Sequence, residues 1–203
     1  MISALIFVTI FTLVLVAYVL EGFEPVGLSF PEVLAIIFLP LVFNIVPPVH
    51  VATFNDVYIL AEFSGFLVPL FISLYFIYSG KFPFWKFGIG ITVVSAVSYY
   101  FSDISGVGVV VYNLLLISAV SAVYSVLVEN RGIGALAYSC STLGVFIGSD
   151  LVRILSFSSK SVLTIGGGGL SDAIFISGIS SILVALFLMH LFQIKNLKSI
   201  EEL

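Results

Sequence analysis

Charge is what this sequence has least of. Lysine, arginine, aspartate and glutamate make up 9% of its 203 residues, against roughly 25% in an ordinary soluble domain. So little charge cannot clothe a water-facing surface, and a hydrophobic content of 61% with a mean hydropathy of +1.27 points the same way. Seven lysines and arginines in no cluster exclude an electrostatic nucleic-acid surface. The single cysteine, Cys140, excludes an internal disulfide. It stands in an apolar stretch with no basic neighbour and reads as a small packing residue. The two histidines, His50 and His190, have no partner at ligand spacing, so neither a metal nor a cofactor is expected. Segments of about ten residues alternating apolar and polar are missing, which excludes a transmembrane β-barrel.

What the chain does have is long apolar runs. A helix crossing lipid needs about 20 such residues, because its backbone groups must be satisfied within the segment. Glycine, proline and charge divide the sequence into runs at 2–20, 31–46, 57–79, 84–101, 107–128, 132–155 and 170–194. The expected fold class is therefore all-α, a polytopic transmembrane helix bundle of about seven spans forming a single integral membrane domain over residues 1–203. The first run lacks a positive leader and a small-residue cleavage site, and reads as a retained span. The second holds Pro40 and Asn44 and ends at Pro47-Pro48, so it predicts either a kinked span or a re-entrant element.

Orientation follows from lysine and arginine, which favour cytoplasmic loops. With the N-terminus outside, Lys81, Lys86, Arg131, Lys195 and Lys198 fall inside and only Arg153 and Lys160 outside. A multi-pass cell-membrane protein with a cytoplasmic C-terminus is expected. The turn at Lys81 and Lys86 is surrounded by Phe82, Phe84, Trp85 and Phe87, an interfacial aromatic belt. Small residues such as Ser118, Ser121, Ser177 and Gly178 recur at the spacing of close helix contacts.

A carboxylate inside a span costs about 2.5–3.5 kcal/mol on insertion scales and calls for a reason. Asp103 reads as a turn residue and Asp56 as a helix cap, while Glu62 lies deeper. Asp150 and Asp172 are the informative pair. One ends an apolar helix after Gly148-Ser149; the other opens the next after Gly169-Leu170-Ser171. Consecutive spans run antiparallel, so both carboxylates come to one side of the membrane. Two carboxylates sharing a desolvated site divide one proton, the requirement of aspartyl proteolysis. In that reading Asp150 and Asp172 are catalytic, and Ser149, Ser171, Gly148 and Gly169 support the pair or the substrate. The plain alternative pairs Asp150 with Arg153 and makes Asp172 a cap. The glycine run 166–169 opens another, since amides at a helix start bind anions in transporters. A structural membrane subunit is a third.

Two blocks, Leu143-Gly144-Val145-Phe146-Ile147-Gly148-Ser149-Asp150-Leu151 and Ile165-Gly166-Gly167-Gly168-Gly169-Leu170-Ser171-Asp172-Ala173, resemble the domain of unknown function 1614 family. That resemblance implies prokaryotic multi-pass membrane proteins and no particular activity. More faintly, Asp150-Leu151-Val152 and Gly169-Leu170-Ser171-Asp172 are similar to the two aspartate motifs of presenilin and signal peptide peptidase. This second resemblance implies an aspartyl intramembrane protease acting on a membrane-protein or peptide substrate, with the lipid bilayer as its surroundings. Ser171 stands where those proteases have glycine, Ser149 where they have an aromatic residue, and no Pro-Ala-Leu motif follows.

Overall fold

The computed structural model describes residues 8–12, 15, 22–54, 57–105, 108–154 and 162–201. Residues 8–12 are helical, and most of the expected first span lies outside the described residues, as do Asp56 and Lys160. Helix α1, Phe30–Phe43, starts on a capping box in which the Ser29 amide donates to Glu32 Oε2 at 2.8 Å, with Pro31 in its first turn and Pro40 inside it. Helix α2, Val68–Tyr78, grows from a π-helical turn, Phe63–Leu67. Helices α3, Phe84–Tyr100, and α4, Leu114–Val128, follow. Helix α5, Ile133–Val145, passes into a second π-helical segment, Phe146–Leu151, and a last turn, Val152–Ile154. Helix α6 is Ala173–Glu201.

The chain is mostly helical, but two small sheets correct the all-α expectation. Strand β1, Val49–Phe54, pairs antiparallel with β2, Val57–Ala61, and β2 pairs parallel with β5, Val162–Ile165. Strands β3, Ser102–Ser105, and β4, Gly108–Val111, form a hairpin. Expected spans 57–79 and 107–128 therefore each begin as a strand, and only their later parts are helical. Asp103 lies in β3, where its Oδ1 accepts the Ile104 amide at 2.8 Å.

Two ends of the bundle can be told apart by contact. At one, Lys81 pairs with Glu32 and Lys86 with Glu129, while Gly132 abuts the Lys81 carbonyl and Gly27 the Arg131 carbonyl. At the other, among the described residues, lie five strands, two π-helical segments and the glycine run. Helix α1 starts beside Lys81 and finishes with Asn44 against Ser64, so it traverses the bundle and does not turn back. The lysines at 195 and 198 lie toward the far end of α6, away from the glycine run.

Helix α5 is the axis. Each of its residues is buried, and α2, α3, α4 and α6 pack around it. Small hydroxyl side chains share the interior with the apolar core, and large apolar side chains also face outward. Ser73, Ser118, Ser121, Ser139 and Ser177 have no exposed area, whereas Tyr78 is 95% and Leu127 74% exposed. Hydroxyls join helices directly: Ser121 donates to the Ala137 carbonyl at 2.8 Å and Ser118 to that of Ser177 at 3.2 Å. Among the described residues one stretch, Ala173–Phe192, is long and apolar enough to cross a membrane; Phe30–Phe43, Phe63–Tyr78 and Leu114–Val128 are apolar but shorter.

Candidate functional site

Three carboxylates that the sequence holds far apart lie at the strand-bearing end. Asp172 sits between the turn Gly169–Ser171 and α6. Its Oδ1 accepts the Ile174 amide at 2.9 Å and its Oδ2 the Gly168 amide at 3.2 Å. It is thus the cap of α6, as the plain alternative expected, and it is also tied to the glycine run. Asp150 lies in the π-helical segment ending α5, within electrostatic range of Asp172. Asp172 in turn lies within range of Glu62.

Close backbone approach brings them together. A side chain at Gly65 would strike the carbonyls of Gly166 and Gly169 and the Cβ of Asp172, so only glycine lets the π-helical turn Phe63–Leu67 lie on the loop. Gly166 and Gly169 adopt φ of 72° and 57°, the left-handed region that glycine enters freely, and this folds the run back under Asp172. Phe66 and Phe146 meet with ring centroids 4.5 Å apart, joining the two π-helical segments. Such segments are rare and concentrate at functional sites.

Glu62 caps the first of these segments. It accepts the Gly65 amide, and the Ser64 hydroxyl stands 3.0 Å from each of its oxygens and 3.0 Å from Asn44 Oδ1. Asn44 and Ser64 belong to the site, although sequence reasoning passed over them; no spacing rule connects positions twenty residues apart. Glu62 was visible as a deep carboxylate without an assigned role.

The supporting residues divide. Ser149 is fully buried, and its hydroxyl lies 2.7 Å from the Val145 carbonyl and 3.4 Å from Asp150 Oδ2; with one proton to give, the shorter bond takes it. Ser171 enters through its amide, which donates to the Gly168 carbonyl at 3.0 Å. Gly148 faces the Ser95 carbonyl and lets α3 approach α5. Gly169 lies against Asn44 and Ser64. Arg153 is turned away from Asp150. Its Nη2 donates to the carbonyls of Ser102, at 2.6 Å, and Tyr99, at 3.1 Å, and its guanidinium lies over the Tyr99 ring. Among the described residues no group of three or more metal-ligating side chains converges. Cys140 is buried against Gly90 and the Phe87 carbonyl, away from the carboxylates.

A family model described as "Protein of unknown function (DUF1614)" matches residues 39–184, a stretch that contains Glu62, Asp150 and Asp172. No curated protein and no solved structure matches the chain.

Proposed function

As the chain belongs to the DUF1614 family, whose description carries no activity, we propose a function from geometry: an integral membrane protein with an aspartyl intramembrane protease-like centre at Asp150 and Asp172. The membrane half of this reading is supported by the exposed apolar side chains of the outer face and the low charge, the protease half by two carboxylates within electrostatic range at one end of the bundle. In it, residues 1–203 form one domain of about seven spans, with the strand-bearing end and the N-terminus outside and the lysine-bearing end inside. The 14 residues of α1 rise about 21 Å at 1.5 Å each, short of a hydrocarbon core of about 30 Å. Local thinning of the bilayer accommodates short spans of this kind.

One observation carries the catalytic reading: two carboxylates from successive helices, in electrostatic range of each other, beside a loop whose Gly167 and Gly168 are exposed. In this reading water reaches the pair from that side. Asp172, with backbone amides on both oxygens, suits the base. It takes a proton from a water whose oxygen attacks the scissile carbonyl carbon. Asp150 gives its proton to the leaving nitrogen as the C–N bond breaks, and the proton on Asp172 then returns to Asp150.

Glu62 favours a second reading. A third carboxylate with the oxygens of Asn44 and Ser64 beside it suits movement of a cation or solute through the same site. Cleavage of a helical membrane peptide by the reconstituted protein decides between them. Asp150→Asn and Asp172→Asn should each lower the rate about 10²–10⁴-fold while the protein still inserts and folds. Wild-type protein that cleaves nothing, but loses cation flux in the same two variants, moves the function to transport.

A further inference from the structure

Asp150 lies in the π-helical segment Phe146–Leu151, so whatever fixes that segment also fixes the direction of its carboxylate. One bond displays the π geometry: the Val152 amide donates to the Ile147 carbonyl, five residues back. A π turn takes up one residue more than an α turn. If the segment relaxed to α-helix, everything beyond it would rotate by about 100° relative to what precedes it, the step of one residue at 3.6 per turn. A rare backbone geometry of this kind persists where its surroundings hold it.

Both ends of the segment are held. At its start Phe146 packs on Phe66 with ring centroids 4.5 Å apart, and Gly148 lies so close to the Ser95 carbonyl of α3 that a Cβ would strike it. Just past its end, Arg153 reaches across to the end of α3. Its Nη2 donates to the Ser102 carbonyl at 2.6 Å and to the Tyr99 carbonyl at 3.1 Å, and its guanidinium carbon lies 4.4 Å from the centre of the Tyr99 ring. Tyr99 belongs to the last turn of α3, where carbonyls fall outside the helix's own ladder and a cation is favoured.

The two holds stand on either side of Asp150. With Phe146 and Gly148 in place, relaxation to α-helix would carry Arg153 away from Ser102 and Tyr99; with Arg153 in place, the extra residue stays between them. We propose that Arg153 is a positioning residue, a clamp on the end of α3 that keeps the π-helical segment wound and so keeps Asp150 in range of Asp172. The inference rests on the paired-carboxylate reading above, and it applies to proteolysis and to transport alike.

The test reads geometry, so it needs neither activity. In the full chain reconstituted in vesicles, with Cys140→Ala, the changes Asp150→Cys and Asp172→Cys are made together and the protein is treated with a short bismaleimide. The two cysteines should cross-link while Arg153 is present. Adding Arg153→Gln should lower the yield several-fold at temperatures well below melting. Lys86→Gln, which instead removes a cation from the other end of the bundle, should lower melting and leave the yield as it was. If Arg153→Gln fails to fold, Tyr99→Leu removes the ring beneath the guanidinium and should lower the yield in the same direction. In the protein that keeps both carboxylates, Arg153→Gln should lower kcat for peptide cleavage about 10²-fold with KM unchanged. Lower melting in Arg153→Gln with an undiminished yield would mean that Arg153 only steadies the fold, and overturns the clamp. An equal loss of yield in Lys86→Gln overturns it too, because the yield would then follow stability. No cross-link even with Arg153 in place would instead overturn the carboxylate pair on which the inference rests.

Discussion

The two ends of the bundle handle charge in opposite ways. At the lysine-bearing end each of Glu32 and Glu129 has a lysine on it, the connections are short, and backbone presses on backbone at Gly27 and Gly132. At the strand-bearing end, among the described residues, no lysine or arginine pairs with Glu62, Asp150 or Asp172. Backbone amides hold Asp172 and Glu62 in place, and the nearby Arg153 is spent on carbonyls. A buried carboxylate with a counter-ion is neutralised and chemically quiet. A set of three without one remains available to protons, cations or substrate. These carboxylates are paired at one end of the molecule and unpaired at the other, and the proposed function rests on that contrast.

The most complete way to break the comparison is to ask whether the ends lie on opposite sides of a membrane. Single cysteines introduced at Ser79 and at Gly167, in a Cys140→Ala background, should label from opposite faces in oriented vesicles. A cysteine at position 198 should label with the one at 79, because α6 returns to the lysine-bearing end. Labelling of 79 and 167 from the same face would remove the two-sided arrangement, and with it the assignment of the carboxylates to the outside.

The same lesion placed at each end sharpens the contrast. Gly65→Ala and Gly132→Ala both drive a Cβ into backbone carbonyls, and overpacking of this kind costs about 1–3 kcal/mol. Both variants should melt lower by comparable amounts. Only Gly65→Ala should lose cleavage or flux, because it alone pushes Asp172 and the glycine run away from Glu62. Equal functional loss in Gly132→Ala would mean that the ends are not separable.

Much of this was legible in the sequence. The run at 84–101 became Phe84–Tyr100, the run at 132–155 became α5 with its continuation, and the convergence of Asp150 and Asp172 on one end followed from antiparallel succession alone. The strands were not legible for an identifiable reason. Val57-Tyr58-Ile59-Leu60-Ala61 is a short apolar run, and such runs fit a buried strand as well as a helix. Merged with the apolar stretch beyond it, the run took the helical reading. A signal was present: Asn55-Asp56 separates two runs rich in β-branched and aromatic residues, which is the punctuation of a hairpin. The tie between α1 and the site through Asn44 and Ser64 depends on tertiary packing and left no trace in spacing.

The smallest expected effect is electrostatic and concerns the lysine-bearing end. Burial alone would raise the Glu129 carboxyl, but the amides of Arg131 and Asn130 and the Lys86 ammonium outweigh it and hold the group below its ordinary 4.5. Lys86 Nζ lies 3.1 Å from Glu129 Oε2, while the two amides reach Oε1 at 3.2 and 3.0 Å. A group depressed in the folded state binds fewer protons there than in the unfolded chain. Its contribution is therefore present above pH 4.5 and lost as the pH falls through 4.5 toward the folded value. With both side chains mostly buried, the contribution is on the order of 1 kcal/mol. Glu129→Gln should therefore melt a few degrees below wild type at pH 7, and the gap should close as melting is repeated at successively lower pH below 4.5. Subtracting the two curves removes the other carboxylates, which titrate in both proteins. A gap that persists unchanged into acid would mean that Glu129 acts through packing alone, and the charge-based account of the lysine-bearing end would fall with it.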